Sequence, residues 1–158
     1  MSASNIVSLI VSIVIAQAAG GLGALFNVNS IPTWYRTINK SKLNPPNWVF
    51  GPVWTTLFLL MAIAAWLVWQ VRAQDGASVA LWTYGLQLVL NVMWSAIFFG
   101  LKRPGWAFVE IIILWLAILA TIYSFSAVSG LAAWLLVPYI LWVSFAAYLN
   151  FSVWRLNK

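Results

Sequence analysis

The chain has 158 residues, of which 64% are apolar, 16% aromatic and 6% charged, with a formal net charge of +6. An ordinary soluble domain carries roughly 25% charged residues, so this composition excludes a water-facing globule and leaves an integral membrane protein. The absence of Cys and His also excludes disulfide scaffolds, thiol nucleophiles and Cys-based zinc sites, and it removes the commonest general base and metal ligand.

A transmembrane helix needs about 20 mainly apolar residues. Five stretches qualify, approximately 6–26, 48–71, 79–100, 105–128 and 131–153. The blocks are too long and uniform for the alternating strands of an outer-membrane barrel. No basic segment precedes the first block, so it reads as a retained helix, not a cleaved signal. The expected fold is an all-α, five-transmembrane-helix bundle forming a single domain. Lys and Arg divide unevenly between its ends: Arg72 lies at one, and Arg36, Lys40, Lys42, Lys102, Arg103, Arg155 and Lys158 lie at the other. By the positive-inside rule the C-terminus and first connector are expected in the cytoplasm and the N-terminus outside. Nothing resembles a nucleic-acid module, and basicity alone does not make one.

Helix 1 carries Ser8, Ser12, Ala16, Gly20 and Ala24 at spacings of four. Such a stripe of small residues permits close helix contact, within the bundle or between two copies. Residues 27–47 then form the longest connector, with Trp34, Tyr35, Arg36, Lys40, Lys42 and the run Asn44-Pro45-Pro46-Asn47-Trp48. A connector of this length in a compact protein reads as a lid over the bundle mouth, while its aromatics also suit an interfacial belt.

Helix 2 places Phe50, Trp54, Phe58 and Met61 on one face. In helix 3, Tyr84, Gln87, Asn91, Trp94 and Ser95 share a polar and aromatic stripe. Its mid-membrane amides are unfavourable against lipid and should face inward, as interhelical glue or as cavity contacts. Helix 4 contributes Trp106, Trp115 and the single acid within a span, Glu110, which is expected to pair with Lys102 or Arg103 or to snorkel. Helix 5 aligns Tyr139, Trp142, Ala146 and Leu149, with Ala146 as a notch between larger neighbours.

Twelve Trp residues exceed what two interfacial belts require. Aromatic walls suit a large planar apolar ligand. With no His or Cys for haem iron, a metal-free porphyrin or one without axial protein ligation fits best, and no cofactor is required. Its propionates would find Arg36, Lys40 or Lys42 at the mouth.

Three blocks carry a family resemblance. They are Trp34-Tyr35 with Lys42-x-Asn44-Pro45-Pro46-x-Trp48-x-x-x-Pro52-x-Trp54; Gln87-x-x-x-Asn91-x-x-Trp94 with Phe98-Phe99-Gly100; and Pro138-Tyr139-x-x-Trp142 with Phe145-Ala146-x-x-Leu149-Asn150. In this order they resemble the translocator protein / tryptophan-rich sensory protein family. The resemblance implies a five-helix bundle, commonly a homodimer, with a pocket at one end capped by the first loop. It implies binding of tetrapyrroles, sterols and benzodiazepine-like or isoquinoline compounds and, in some bacterial members, light-dependent protoporphyrin breakdown. The family's pocket maps onto Tyr35, Pro45, Trp54, Asn91, Trp94, Trp106, Trp142, Ala146 and Leu149, with Ala24 and Asn27 on the helix 1 wall. Two departures stand out. Six residues separate Tyr148 from Arg155, one more than the loose cholesterol pattern allows, and Asn44 stands where relatives often carry an aromatic residue or His.

Three functions follow as expectations: a tetrapyrrole receptor or sensor, a light-dependent porphyrin-degrading enzyme, and a porphyrin or sterol transporter. In the enzyme, Trp54 and Trp142 would exchange electrons with the photoexcited ring, since no acid–base pair or nucleophile for dark chemistry is visible. Transport ranks last, because the spans show no inverted repeat or paired Gly/Pro interruptions.

Overall fold

A computed structural model describes residues 2–158. Among the described residues there are only helices and connectors, and five helical segments are long and apolar enough to cross a membrane. Helix α1 (Ala3–Ser30) starts at Ser2, whose hydroxyl accepts the Asn5 N–H at 3.3 Å. It does not stop at Phe26. It runs to Ser30 and continues through one π-helical turn, Ile31–Tyr35, to make a 33-residue span.

The expected irregular lid over 27–47 is therefore corrected: helix persists through residue 37, and only 38–46 is irregular. Two effects keep the helix intact past its polar stretch. The wider π turn absorbs the missing N–H of Pro32. The polar side chains bond carbonyls and do not compete for the backbone N–H groups: Ser30 Oγ donates to the Phe99 carbonyl at 2.6 Å and Thr33 Oγ1 to that of Asn29 at 2.5 Å.

Helix α2 (Asn47–Gln70) follows Pro46 directly and carries Pro52 in its second turn, with the Pro52 carbonyl accepting from Thr56 Oγ1 at 2.9 Å. Helix α3 (Ala77–Ser95) begins at Gly76, whose φ of +85° suits glycine, and ends in a second π turn, Ala96–Gly100. A short turn leads into α4 (Pro104–Ser126). The fifth span, Gly130–Leu156, consists of α5 (Gly130–Leu135), capped by Ser129, and α6 (Val137–Leu156). Spans two to five agree with the hydropathy reading to within a turn.

In the bundle α3 packs chiefly on α4, α1 on α2, and α4 on α6. Met61, Ile111, Leu114, Ile118, Phe125 and Tyr139 form the fully buried centre. Val14, Leu25, Trp82 and Tyr123 are exposed apolar side chains, the expected outer surface when the surrounding solvent is acyl chain. The small-residue stripe of α1 packs within the chain. Ser8 Oγ receives Trp66 Nε1 and Gln70 Nε2, each at 3.2 Å; Ser12 Oγ donates to the Ala62 carbonyl at 2.7 Å; and Ala16 is fully buried.

Candidate ligand-binding site

The polar stripe of α3 turns inward because its amides have no partner in hydrocarbon. Tyr139 in α6 donates its hydroxyl to Gln87 Oε1 at 2.8 Å and accepts from Asn91 Nδ2 at 3.0 Å. Trp94 Nε1 donates to Asn150 Oδ1 at 3.0 Å, and Asn150 Nδ2 donates to the Pro104 carbonyl at 2.7 Å. These bonds clamp α3, α6 and the start of α4 together. They also consume most of the polar capacity of Gln87, Asn91 and Trp94, so Trp94 offers its ring to any ligand and not its N–H.

An aromatic slot lies between this clamp and α1. Trp94 stacks on Phe98 at 5.3 Å between centroids, and Phe98 is also met edge-on by Trp34 at 5.6 Å and by Tyr35 at 6.2 Å. On the facing wall Phe50 meets Trp142 at 6.1 Å, and Trp54 meets Tyr139 at 6.3 Å. The two π turns produce this convergence. They set Tyr35 beside Phe98 and Phe99, while the Ser30–Phe99 bond holds the backbones together. π-Helical turns of this kind are frequent at functional sites.

The slot leaves only about 50 Å³ unfilled. A second, more open cavity of about 510 Å³ adjoins it between α1 and α2, and the two share Asn27, Ile31, Phe50 and Trp54. Ligand sites typically occupy roughly 300–1,000 Å³, so the outer cavity has the capacity and the slot supplies the aromatic grip. Two buried polar atoms on residues of the slot lack a partner: the acceptor Asn27 Oδ1, at the junction with the outer cavity, and the donor Trp142 Nε1, on the slot wall. Buried polar groups are almost always paired, so this donor and acceptor are available to an occupant.

The connector that closes the basic end is pinned to the C-terminal tail. Asn157 Oδ1 accepts the Asn39 N–H at 3.0 Å, and Asn157 Nδ2 donates to the Asn39 carbonyl at 2.9 Å. Tyr35 OH donates to Asn44 Oδ1 at 2.7 Å, so Asn44 ties the connector to the slot wall. Lys40 Nζ donates to the carbonyls of Tyr35 and Ile38 at 2.5 and 2.9 Å, and burial lowers its pKa from the ordinary lysine value. Lys40 thus caps the end of the first helix, a correction to its expected place as an open propionate contact. Arg36 and Lys42 remain exposed.

Residues 12–155 match the sequence model of the TspO/MBR family. The chain belongs to that family. It is 40% identical over 154 residues to the tryptophan-rich protein TspO of Chlorobaculum tepidum, covering 97% of this chain and 98% of that protein. The human translocator protein is 43% identical over 126 residues, 78% of this chain and 75% of its own. The tryptophan-rich sensory protein of Cereibacter sphaeroides is 41% identical over 124 residues, 78% and 77% of the two chains.

In this TspO/MBR protein the slot gathers Asn27, Tyr35, Trp54, Trp94, Trp142, Ala146 and Leu149. Ala24 and Asn91 line the outer cavity. Two expected residues lie elsewhere. Trp106 is 70% exposed and borders an outward groove with Arg103 and Trp154. It is the third residue of α4, at the end of the helix, where its ring is left uncovered, whereas Glu110 one turn further along the same face is buried. Pro45 lies in the connector, where its carbonyl accepts from Asn44 Nδ2 at 3.0 Å, and it borders neither cavity. Glu110 is corrected as well: it is buried, and neither carboxylate oxygen has a hydrogen-bond partner. Of its two expected partners, Arg103 borders the outward groove and Lys102 is exposed.

Sequence reasoning missed Ile31, Phe50, Phe98, Phe99, Asn150 and Val153 in the slot, and Gln17, Gly21 and Gly51 among others around the outer cavity. Phe99 and Asn150 stand inside the family blocks and Phe50 on the aromatic face of α2, so a signal existed for those. Nothing in the sequence marked the glycines as rim positions.

Proposed function

We propose that this protein is a membrane receptor for planar, largely apolar tetrapyrroles, with protoporphyrin as the representative ligand. One observation carries the reading: an indole-walled slot shares a wall with a cavity of about 510 Å³, and its residues carry one unpartnered acceptor and one unpartnered donor. Offset stacking on Trp54 and Trp142 supplies a grip of about 0.5–1.5 kcal/mol per ring pair beyond burial. Asn27 Oδ1 suits a pyrrole N–H, and Trp142 Nε1 suits a carbonyl or ring-nitrogen acceptor. Benzodiazepine-like compounds share this chemistry of fused rings with a single polar handle. The accumulation of Lys and Arg at the connector end supports a cytoplasmic placement for that end.

The test is saturable quenching of tryptophan emission by protoporphyrin in detergent or vesicles. Ala146→Phe, which puts a ring into a slot with about 50 Å³ to spare, and Trp142→Ala, which removes one wall, should each weaken binding at least tenfold. Unaltered affinity in both variants would remove the proposed site.

A second reading, light-dependent porphyrin degradation, draws on Trp54 and Trp142 lining the same slot. Indoles at van der Waals range can donate electrons to an excited ring or trap its radicals, and the light-excited substrate brings the reactivity. Illumination of bound protoporphyrin with Phe at both positions separates the roles. Product formation at the wild-type rate would make the protein a container and not a catalyst.

A further inference from the structure

The α1–α2 seam is closed over part of its length and open over the rest. Gln17 Nε2 donates to the Thr55 carbonyl at 3.1 Å, and at Gly20 the approach is so close that an added Cβ would meet the Phe58 ring at 2.7 Å. Neighbouring faces of the two helices border open space. An added Cβ at Gly21 or Gly51 would meet nothing within 4 Å, and both glycines border the cavity of about 510 Å³. Both belong to membrane-spanning segments, Ala3–Tyr35 and Asn47–Gln70. Gly21 lies about 21 Å of helix rise from the Tyr35 end of its span, and the exposed side chains beside it, Leu22 and Leu25, are apolar. Gly51 lies about 6 Å of helix rise from the Asn47 end of its span, and Asn47 and Trp48 border the same cavity, so the cleft runs from the connector end down to the depth of acyl chains at Gly21.

The other door is held shut. At the basic end the connector is tied to the C-terminal tail through the reciprocal Asn39–Asn157 bonds, with Ser41 Oγ 3.3 Å from Tyr148 OH as a second tie. Entry from water would break these bonds and also require an apolar solute to leave hydrocarbon first, at a cost proportional to its apolar area. Entry through the cleft requires neither.

We infer that the occupant of the slot enters sideways from the bilayer, between α1 and α2, and that Gly21 and Gly51 set the width of this entrance. The inference rests on the tetrapyrrole reading of the slot and adds a rule of selection to it. A ring system dissolved among the acyl chains gains admission, and a water-soluble analogue of the same ring does not, whatever its fit to the slot.

The test uses the full chain in phospholipid vesicles, with protoporphyrin IX delivered from donor vesicles and stopped-flow tryptophan quenching as the readout. The double variant Gly21→Leu, Gly51→Leu adds bulk to the rim at two positions where a Cβ meets nothing within 4 Å. It should slow association at least tenfold and change equilibrium affinity by a smaller factor. The double variant Asn157→Ala, Tyr148→Phe loosens the connector and should leave association within twofold of wild type. Association that is unchanged in the rim variant, or accelerated by the connector variant, overturns the lateral route while leaving the site intact. An absence of saturable quenching in the wild type overturns the tetrapyrrole reading and the route with it.

Should the rim variant fold poorly, Gly21→Cys gives an independent answer, since the chain contains no other cysteine. A fluorophore attached there should be quenched at least threefold more strongly by doxyl-labelled lipid than by aqueous iodide. Stronger quenching by iodide would place the cleft in water and overturn the proposal.

Discussion

Replacing Asn27 by Leu separates the binding role of this residue from any structural one. Asn27 Oδ1 is buried without a partner at the junction of slot and outer cavity. A buried polar group left unsatisfied costs about 1–3 kcal/mol, although polar pairings measured inside bilayers average nearer 0.6 kcal/mol. Leu keeps the branched skeleton of Asn with two methyl groups in place of the amide oxygen and nitrogen, and it has no polar atom to strand, so the unliganded protein should gain about 1 kcal/mol of stability. The ligand should lose one hydrogen bond of about 0.5–1.5 kcal/mol, a fall in affinity of about 2- to 12-fold. The signature is therefore two changes of opposite sign. The assay is a thermal or denaturing-detergent unfolding series with and without protoporphyrin, alongside quenching titrations. The gain should appear only without ligand and shrink or reverse at saturation. If Asn27→Leu instead lowers stability and affinity together, Asn27 is holding the fold, and its place as an open acceptor for an occupant is refuted.

Tyr139→Phe keeps the ring beside Trp54 but strands Gln87 Oε1 and Asn91 Nδ2; unfolding should show a loss of about 1–3 kcal/mol, with protoporphyrin affinity changed less than threefold in the protein that remains folded. Gly20→Ala drives a methyl into the Phe58 ring at 2.7 Å and should cost about 1–3 kcal/mol of stability through overpacking. Gly21→Ala, with nothing within 4 Å, should be neutral or slightly stabilising in the same melts, and equal effects at the two positions would contradict the packing. Glu110→Leu should raise stability by about 1 kcal/mol or more, because it removes a buried carboxyl with no partner; a loss of stability would show that Glu110 is bonded to something within the folded protein.

The five spans, the all-α class and the inward direction of Gln87, Asn91 and Trp94 were legible in the sequence. Each depends on a local quantity: the length of an apolar run against bilayer thickness, or the penalty of an amide facing lipid. The aromatic residues of the slot were largely legible too, because Trp54, Trp94, Trp142 and Ala146 recur at helical spacing on faces that must turn inward. The misreadings share a different cause. Polar residues near Pro32 resembled a helix end, but their bonds to the Asn29 and Phe99 carbonyls exist only once the helix is built and α3 is alongside. Trp106 and Glu110 stand one turn apart on the same face of α4, yet one is exposed and the other buried, because coverage along that face depends on how far the neighbouring helices extend over it.

Composition and periodicity thus decided that the chain crosses a membrane five times and which helix faces are dear to expose to lipid, since both follow from transfer free energies of individual side chains. Tertiary structure alone decided that the slot is nearly full, that its spare volume lies between α1 and α2, and that the connector is fastened to the tail. Those features depend on which faces of two rods touch and which stay uncovered, as at Gly20 against Phe58 and at Gly21 beside open space, and no single segment contains that information.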